Sequence, residues 1–284
     1  VGRTNRPQIH PKDGAYDPTK SVFSSSVFQT LLEKNGISSI PLTNSRLHYS
    51  DDWQNLKLII LTSHDEYWSE SLYKKLEFFV KNGGKLAIFS GNTAFRSFHL
   101  NGSEYRRKFH WDLVRSPEQL IGLTSRYGGY PVYLNNNLKQ ALSDGLSEVE
   151  YNNSPGMKII DASHPIFKGT GLKNGDYLGV KSKLVWYELN GIPLDPQTDK
   201  IALDQVPVSQ TLYDGQDFDS VTPKFPSKIK ILASSWLQSN INNRKKTLQY
   251  AGTIVDTKVG KGRVINLGSV GWYKSLGEGD KKVI

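Results

Sequence analysis

Residues 56–92 constrain the fold of this chain more than any other stretch. Leu56-Lys57-Leu58-Ile59-Ile60-Leu61 is a run of mostly strand formers, and Ser63-His64-Asp65-Glu66-Tyr67-Trp68-Ser69 follows it directly. Trp68, Leu72, Leu76, Phe79 and Val80 then recur at three- to four-residue spacing, which predicts an amphipathic helix. Ser69 suits its N-cap, Glu70 its first turn, and Asn82-Gly83-Gly84 its end. Lys85-Leu86-Ala87-Ile88-Phe89 reads as a second strand, stopping at Ser90-Gly91-Asn92. Strand, helix, strand is the unit from which parallel sheets are built.

The flanks extend this pattern. Phe23, Val27, Leu31 and Leu32 predict a helix closed by Asn35-Gly36, and residues 37–42 read as a short strand. Residues 229–233 read as a further strand, and Gly260-Lys261-Gly262 as the turn of a hairpin whose second strand is 263–268. The expectation is an α/β fold with a mostly parallel, layered sheet. Ligands in such sheets bind beyond the carboxyl ends of the strands, where both polar clusters fall. We read one domain over 1–284, with an extended lead-in at 1–20, sheet core at 21–103 and 229–284, and a β-rich insertion at 104–228.

Composition narrows the function. The chain has 284 residues and no cysteine, which excludes disulfides, thiolate ligands and cysteine nucleophiles. No stretch is long and apolar enough to span a membrane. The formal charge is +9, but its densest runs, Arg106-Arg107-Lys108 and Arg244-Lys245-Lys246, belong to no nucleic-acid-binding motif, so a nucleic-acid partner is disfavoured. Two Asn-x-Ser triplets, at Asn101 and Asn152, and the lack of cysteine lean towards an extracellular or cell-surface location. The chain starts at Val1 and runs out at Lys281-Lys282-Val283-Ile284, so it reads as a piece that works beside other domains or subunits.

Several spaced blocks resemble the C-terminal domain of the large (beta) subunit of N,N-dimethylformamidase. They are Ser63–Ser69, Gly83–Asn92, His164-Pro165-Ile166-Phe167 with Gly169-Thr170-Gly171-Leu172, Tyr187-Glu188, and Gly262–Ser269 with Trp272. The resemblance implies a flavodoxin-like sheet similar to that of class I glutamine amidotransferases, in which Ser90-Gly91-Asn92 stands at the nucleophile elbow. Without cysteine, glutaminase chemistry is excluded. The resemblance also implies hydrolysis of a small amide at a single Fe(III) ion held by two tyrosines and a glutamate. On this implication Tyr67 and Glu188 are metal-ligand candidates, and Tyr49 and Tyr16 are upstream options for the second phenol.

Phenolate and carboxylate oxygens are hard donors suited to a hard trivalent cation. Such a cation can polarise a carbonyl and activate water, while a neighbouring acid or imidazole carries the proton. His64, Glu66 and Asn92 are the catalytic candidates. Each has a structural alternative: His64 a hydrogen-bonding role, Glu66 an interaction with the helix dipole, Asn92 a left-handed turn, Tyr67 packing under the helix, and Glu188 an ion pair. Trp68, Arg263 and Trp272 read as structural, and His164 as a loop residue. In an unbroken strand, His64 and Glu66 would share one face, Asp65 and Tyr67 the other. The alternative to an enzyme is a non-catalytic extracellular binding or structural module that keeps the fold.

Overall fold

The computed structural model describes residues 18–101, 104–108, 116–124, 156–182, 184–185, 189–195, 198–202, 224–235, 238–241, 244–247 and 252–277. The helices are α1 (Pro18–Lys34), α2 (Asn44–Tyr49), α3 (Glu70–Lys81), α4 (Glu118–Ile121) and α5 (Trp272–Gly277). The main sheet contains β1 (Leu58–His64), β3 (Lys85–Gly91), β6 (Met157–Ile159), β7 (Tyr177–Leu178), β8 (Ile229–Ser234), β11 (Thr253–Val259) and β12 (Gly262–Asn266). A three-stranded sheet joins β2 (Tyr67–Ser69), β4 (Arg96–Asn101) and β5 (Glu104–Lys108), and β9 (Gln238–Ile241) pairs with β10 (Arg244–Thr247).

The seven strands lie in the order β1-β3-β12-β11-β8-β6-β7. Only β1–β3 and β3–β12 are parallel; β12–β11, β11–β8, β8–β6 and β6–β7 are antiparallel. The sheet is therefore mixed, strongly curled and mostly antiparallel, which overturns the expected flavodoxin-like, class I glutamine amidotransferase-like layered parallel sheet. The reason lies in the connections. A parallel neighbour needs a long crossover, whereas a tight turn forces an antiparallel one. Helix α3 supplies a crossover between β1 and β3, but β11 enters β12 through Gly260-Lys261 alone. The stretch 104–228 contributes β6 and β7 to this same sheet.

Strand alternation sorts the apolar side chains onto two faces. Leu86, Ile88 and Val264 pack with Leu61, Trp68, Leu76, Val80 and Ile121, beneath α2, α3 and α4. Phe89 and Ile265 pack on the other side with Phe28 of α1, Trp272 of α5, Ile254 and Leu232. Helix α1 holds the predicted position, and Gly36 closes it with φ +69. The expected strand at 37–42 does not form. Ile37 and Ile40 are 52% and 58% exposed, and Pro41 lacks the N–H that a ladder needs.

Candidate functional site

The carboxyl ends of β1 and β3 meet in register, with His64 beside Gly91. The two polar clusters therefore leave the sheet side by side. The strand breaks at Asp65 and Glu66, and the backbone carbonyl of Asp65 accepts from the N–H of Ala94 at 2.9 Å. β2 then restarts at Tyr67 and runs parallel to β4, with Tyr67 opposite Arg96 and Trp68 opposite Ser97. This break removes the strict alternation expected of an unbroken strand. Trp68 is fully buried, but in β2 rather than on helix α3. Its indole N–H donates to Asp65 Oδ2 at 2.8 Å, so one oxygen of that buried carboxylate anchors the cluster from within.

Ser69 starts α3 as the sequence predicts. Its hydroxyl oxygen accepts from Leu72 N at 3.0 Å and lies 2.6 Å from His48 Nδ1, which joins α2 to the start of α3. Lys75 strengthens this joint: its Nζ donates to the carbonyls of His48 and Ser50, at 2.9 and 3.2 Å, and pairs with Asp51 at 2.9 Å. Partial burial and, secondarily, the Lys75 charge hold the His48 imidazole below its ordinary pKa.

The turn after β3 has an unusual backbone. Asn92 and Ala94 adopt positive φ, 54° and 51°. Asparagine tolerates this region; alanine occupies it at a cost. The N–H of Thr93 donates to Asn190 Oδ1 at 3.1 Å, and the N–H of Ala94 donates to Asp65 O. Backbone donors at such an elbow form the oxyanion hole of many acyl-transfer enzymes. Here the N–H groups of Thr93 and Ala94 are both engaged internally.

Glu66, Tyr67 and Asn92 are all half-buried and stand at the same end of the sheet. His64 is the last residue of β1, and its side chain is outside the described residues. Glu188 also lies outside them, as does Tyr16. The next residue, Leu189, bridges to Ser269, and Asn190 hydrogen-bonds the elbow. Tyr49 is 64% exposed. Among the described residues, no three His, Asp or Glu side chains gather as metal ligands.

Other polar residues are engaged in internal contacts. His164, read as a loop residue, caps the 3-10 turn Pro165–Phe167 and is buried. Its Nδ1 accepts from Ile166 N at 3.4 Å, and its Nε2 lies 3.1 Å from Asp256 Oδ2. Arg263 Nε stands 2.8 Å from Asp256 Oδ1, at ion-pair distance but without hydrogen-bond alignment. Trp272 donates its indole N–H to Leu267 O at 3.0 Å. Asn266 links Ile121 O to Gly268 N, at 3.1 Å each. Sequence reasoning did not pick out Asn190, Asn266 or His48 as contact-making residues, because isolated polar residues carry no periodic signal. A cleft of about 520 Å³ between Lys57, Phe78 and Lys85 lies at the opposite end of β1 and β3, away from these groups.

Residues 3–282 match the family described as "N,N-dimethylformamidase beta subunit-like, C-terminal". The chain belongs to this family. Among curated proteins none matches it significantly. The match covers nearly the whole dimethylformamidase-like chain, including both strand-end clusters and the β11–β12 hairpin. Among the described residues, no helix is long and apolar enough to cross a membrane.

Proposed function

We propose that this dimethylformamidase-like chain hydrolyses the C–N bond of a small amide at the carboxyl ends of β1 and β3. One observation supports this reading: Glu66, Tyr67 and Asn92 are half-buried and directly follow two strand ends joined in register. The elbow N–H groups are engaged, so the carbonyl oxygen needs another electrophile. The donor chemistry fits a hard Fe(III) ion held by Tyr67 with Glu188 and a second phenol. When bound, it would polarise the carbonyl and lower the pKa of a bound water. Asn92 would orient the amide through hydrogen bonds. Glu66 or His64 would take the proton from the attacking water and return it to the departing amine. The beta-subunit-like family also makes further subunits plausible partners.

The test combines metal content with turnover. Protein purified from iron-supplemented cells should carry about one iron per chain, show a phenolate-to-iron absorption band, and release dimethylamine from N,N-dimethylformamide. Tyr67→Phe should abolish the band and the turnover while leaving the far-ultraviolet circular dichroism unchanged. Iron-free wild-type protein that releases no amine from any small formamide or acetamide would overturn the reading.

A further inference from the structure

Asn190 is fully buried where three chain segments meet. Its backbone N–H donates to Gly268 O at 2.8 Å, and its backbone carbonyl accepts from Thr253 N at 3.0 Å. These bonds fix it between the end of β12 and the start of β11, and leave its side chain to serve the elbow. Nδ2 donates to Ser90 O at 3.0 Å and to Thr93 Oγ1 at 2.9 Å, while Oδ1 accepts from Thr93 N at 3.1 Å. Three bonds thus reach two residues, Ser90 and Thr93, from one planar amide that offers both donors and an acceptor. Aspartate would lose the donors, and glutamine would overreach.

The elbow needs this support. Asn92 and Ala94 both hold left-handed backbone within three positions, and Ala94, almost fully buried, has a Cβ that disfavours it. Thr93 between them is the residue Asn190 grips at both its N–H and its hydroxyl. Backbone of this kind persists only where its surroundings over-determine it, and it clusters at functional sites.

We infer that Asn190 is a positioning residue: it holds the left-handed turn of 92–94, and with it Asn92, in the geometry that the proposed amide site uses. The purpose of that geometry rests on the reading above; the holding does not, and its test needs no turnover. In wild-type protein, the amides of Thr93 and Ala94 should exchange with solvent as slowly as their buried neighbours. Asn190→Ala should speed exchange at these two positions on the order of a hundredfold, since several buried hydrogen bonds are lost together. Ile88 and Val264 in the sheet should stay slow. Thr93→Val, which removes one of the three bonds and keeps the shape, should give a smaller change in the same direction. Adding Ala94→Gly to Asn190→Ala should recover about fivefold of the lost protection, because glycine holds positive φ without strain.

Unchanged exchange at 93 and 94 in Asn190→Ala would overturn the inference, because the turn would then hold itself. Equal acceleration throughout the sheet would also overturn it, by making Asn190 an ordinary core residue. So would a failure of Ala94→Gly to restore any protection. A protein inert towards amides that passes all three measurements would sink the amidohydrolase reading and keep the positioning role.

Discussion

Replacing Ser69 with alanine tests how the heptapeptide is anchored. Its hydroxyl caps α3 through Leu72 N, a buried contact, and bonds the partly buried His48 Nδ1. Loss of an N-cap costs about 1 kcal/mol. Loss of the imidazole bond adds about 1 kcal/mol, the usual net worth of an internal hydrogen bond. The expected total is about 2 kcal/mol, or a fall in melting temperature of about 5 °C for a chain of this size. Urea unfolding of wild type, Ser69→Ala, His48→Ala and the double variant separates the two parts. The cycle should show coupling of about 1 kcal/mol between Ser69 and His48, with the cap cost remaining in the His48→Ala background. A loss below about 0.5 kcal/mol for Ser69→Ala, or additivity of the two substitutions, would refute the joint between α2 and α3.

Acidification should weaken the fold through His48. Its folded pKa lies below the ordinary value near 6.5, so the unfolded chain binds more protons, and stability falls as pH drops below about 6.5 towards the folded pKa. His48→Gln should flatten this slope in urea midpoints measured between pH 7.5 and 5; an unaltered slope would contradict the assignment. A Cβ on Gly262 would fall on the carbonyl oxygens of Val80 and Gly84, so Gly262→Ala should cost about 3 kcal/mol and be visible as a lowered melting temperature. Wild-type stability in that variant would mean that the helix end and the hairpin are not in contact. Removing the His164 imidazole strips a buried partner from Asp256, so His164→Ala should cost about 2 kcal/mol in urea unfolding. The half-exposed Arg263 should cost less than 1 kcal/mol when replaced by alanine, and the reverse order would contradict the structure.

Features that repeat along the chain were legible before any coordinates. The apolar face of α3, its cap at Ser69 and its glycine end are periodic or positional signals, and they fall where expected. So does the tight turn between β11 and β12, because two glycines frame it. Sheet direction was not legible. The helix between β1 and β3 invited a mostly parallel reading of the sheet, whereas β6 and β7, with three and two residues, carry no pattern of their own. Ile37–Leu42 has strand-like composition but no partner strand among the described residues, and composition alone does not form a ladder. At the candidate site, clustering in sequence pointed to Glu66, Tyr67 and Asn92. Nothing local pointed to Asn190, because its contacts to Ser90 and Thr93 span about a hundred positions.

The main sheet separates two of the apolar clusters, one roofed by α1 and α5, the other by α2, α3 and α4, while a third gathers around Leu123, Ile192, Leu194 and Val255. The two interiors share strands β3 and β12, whose neighbouring residues Ile88 and Phe89, and Val264 and Ile265, face opposite sides. A volume change under α1 and α5 is therefore felt through these shared strands on the side that carries Trp68.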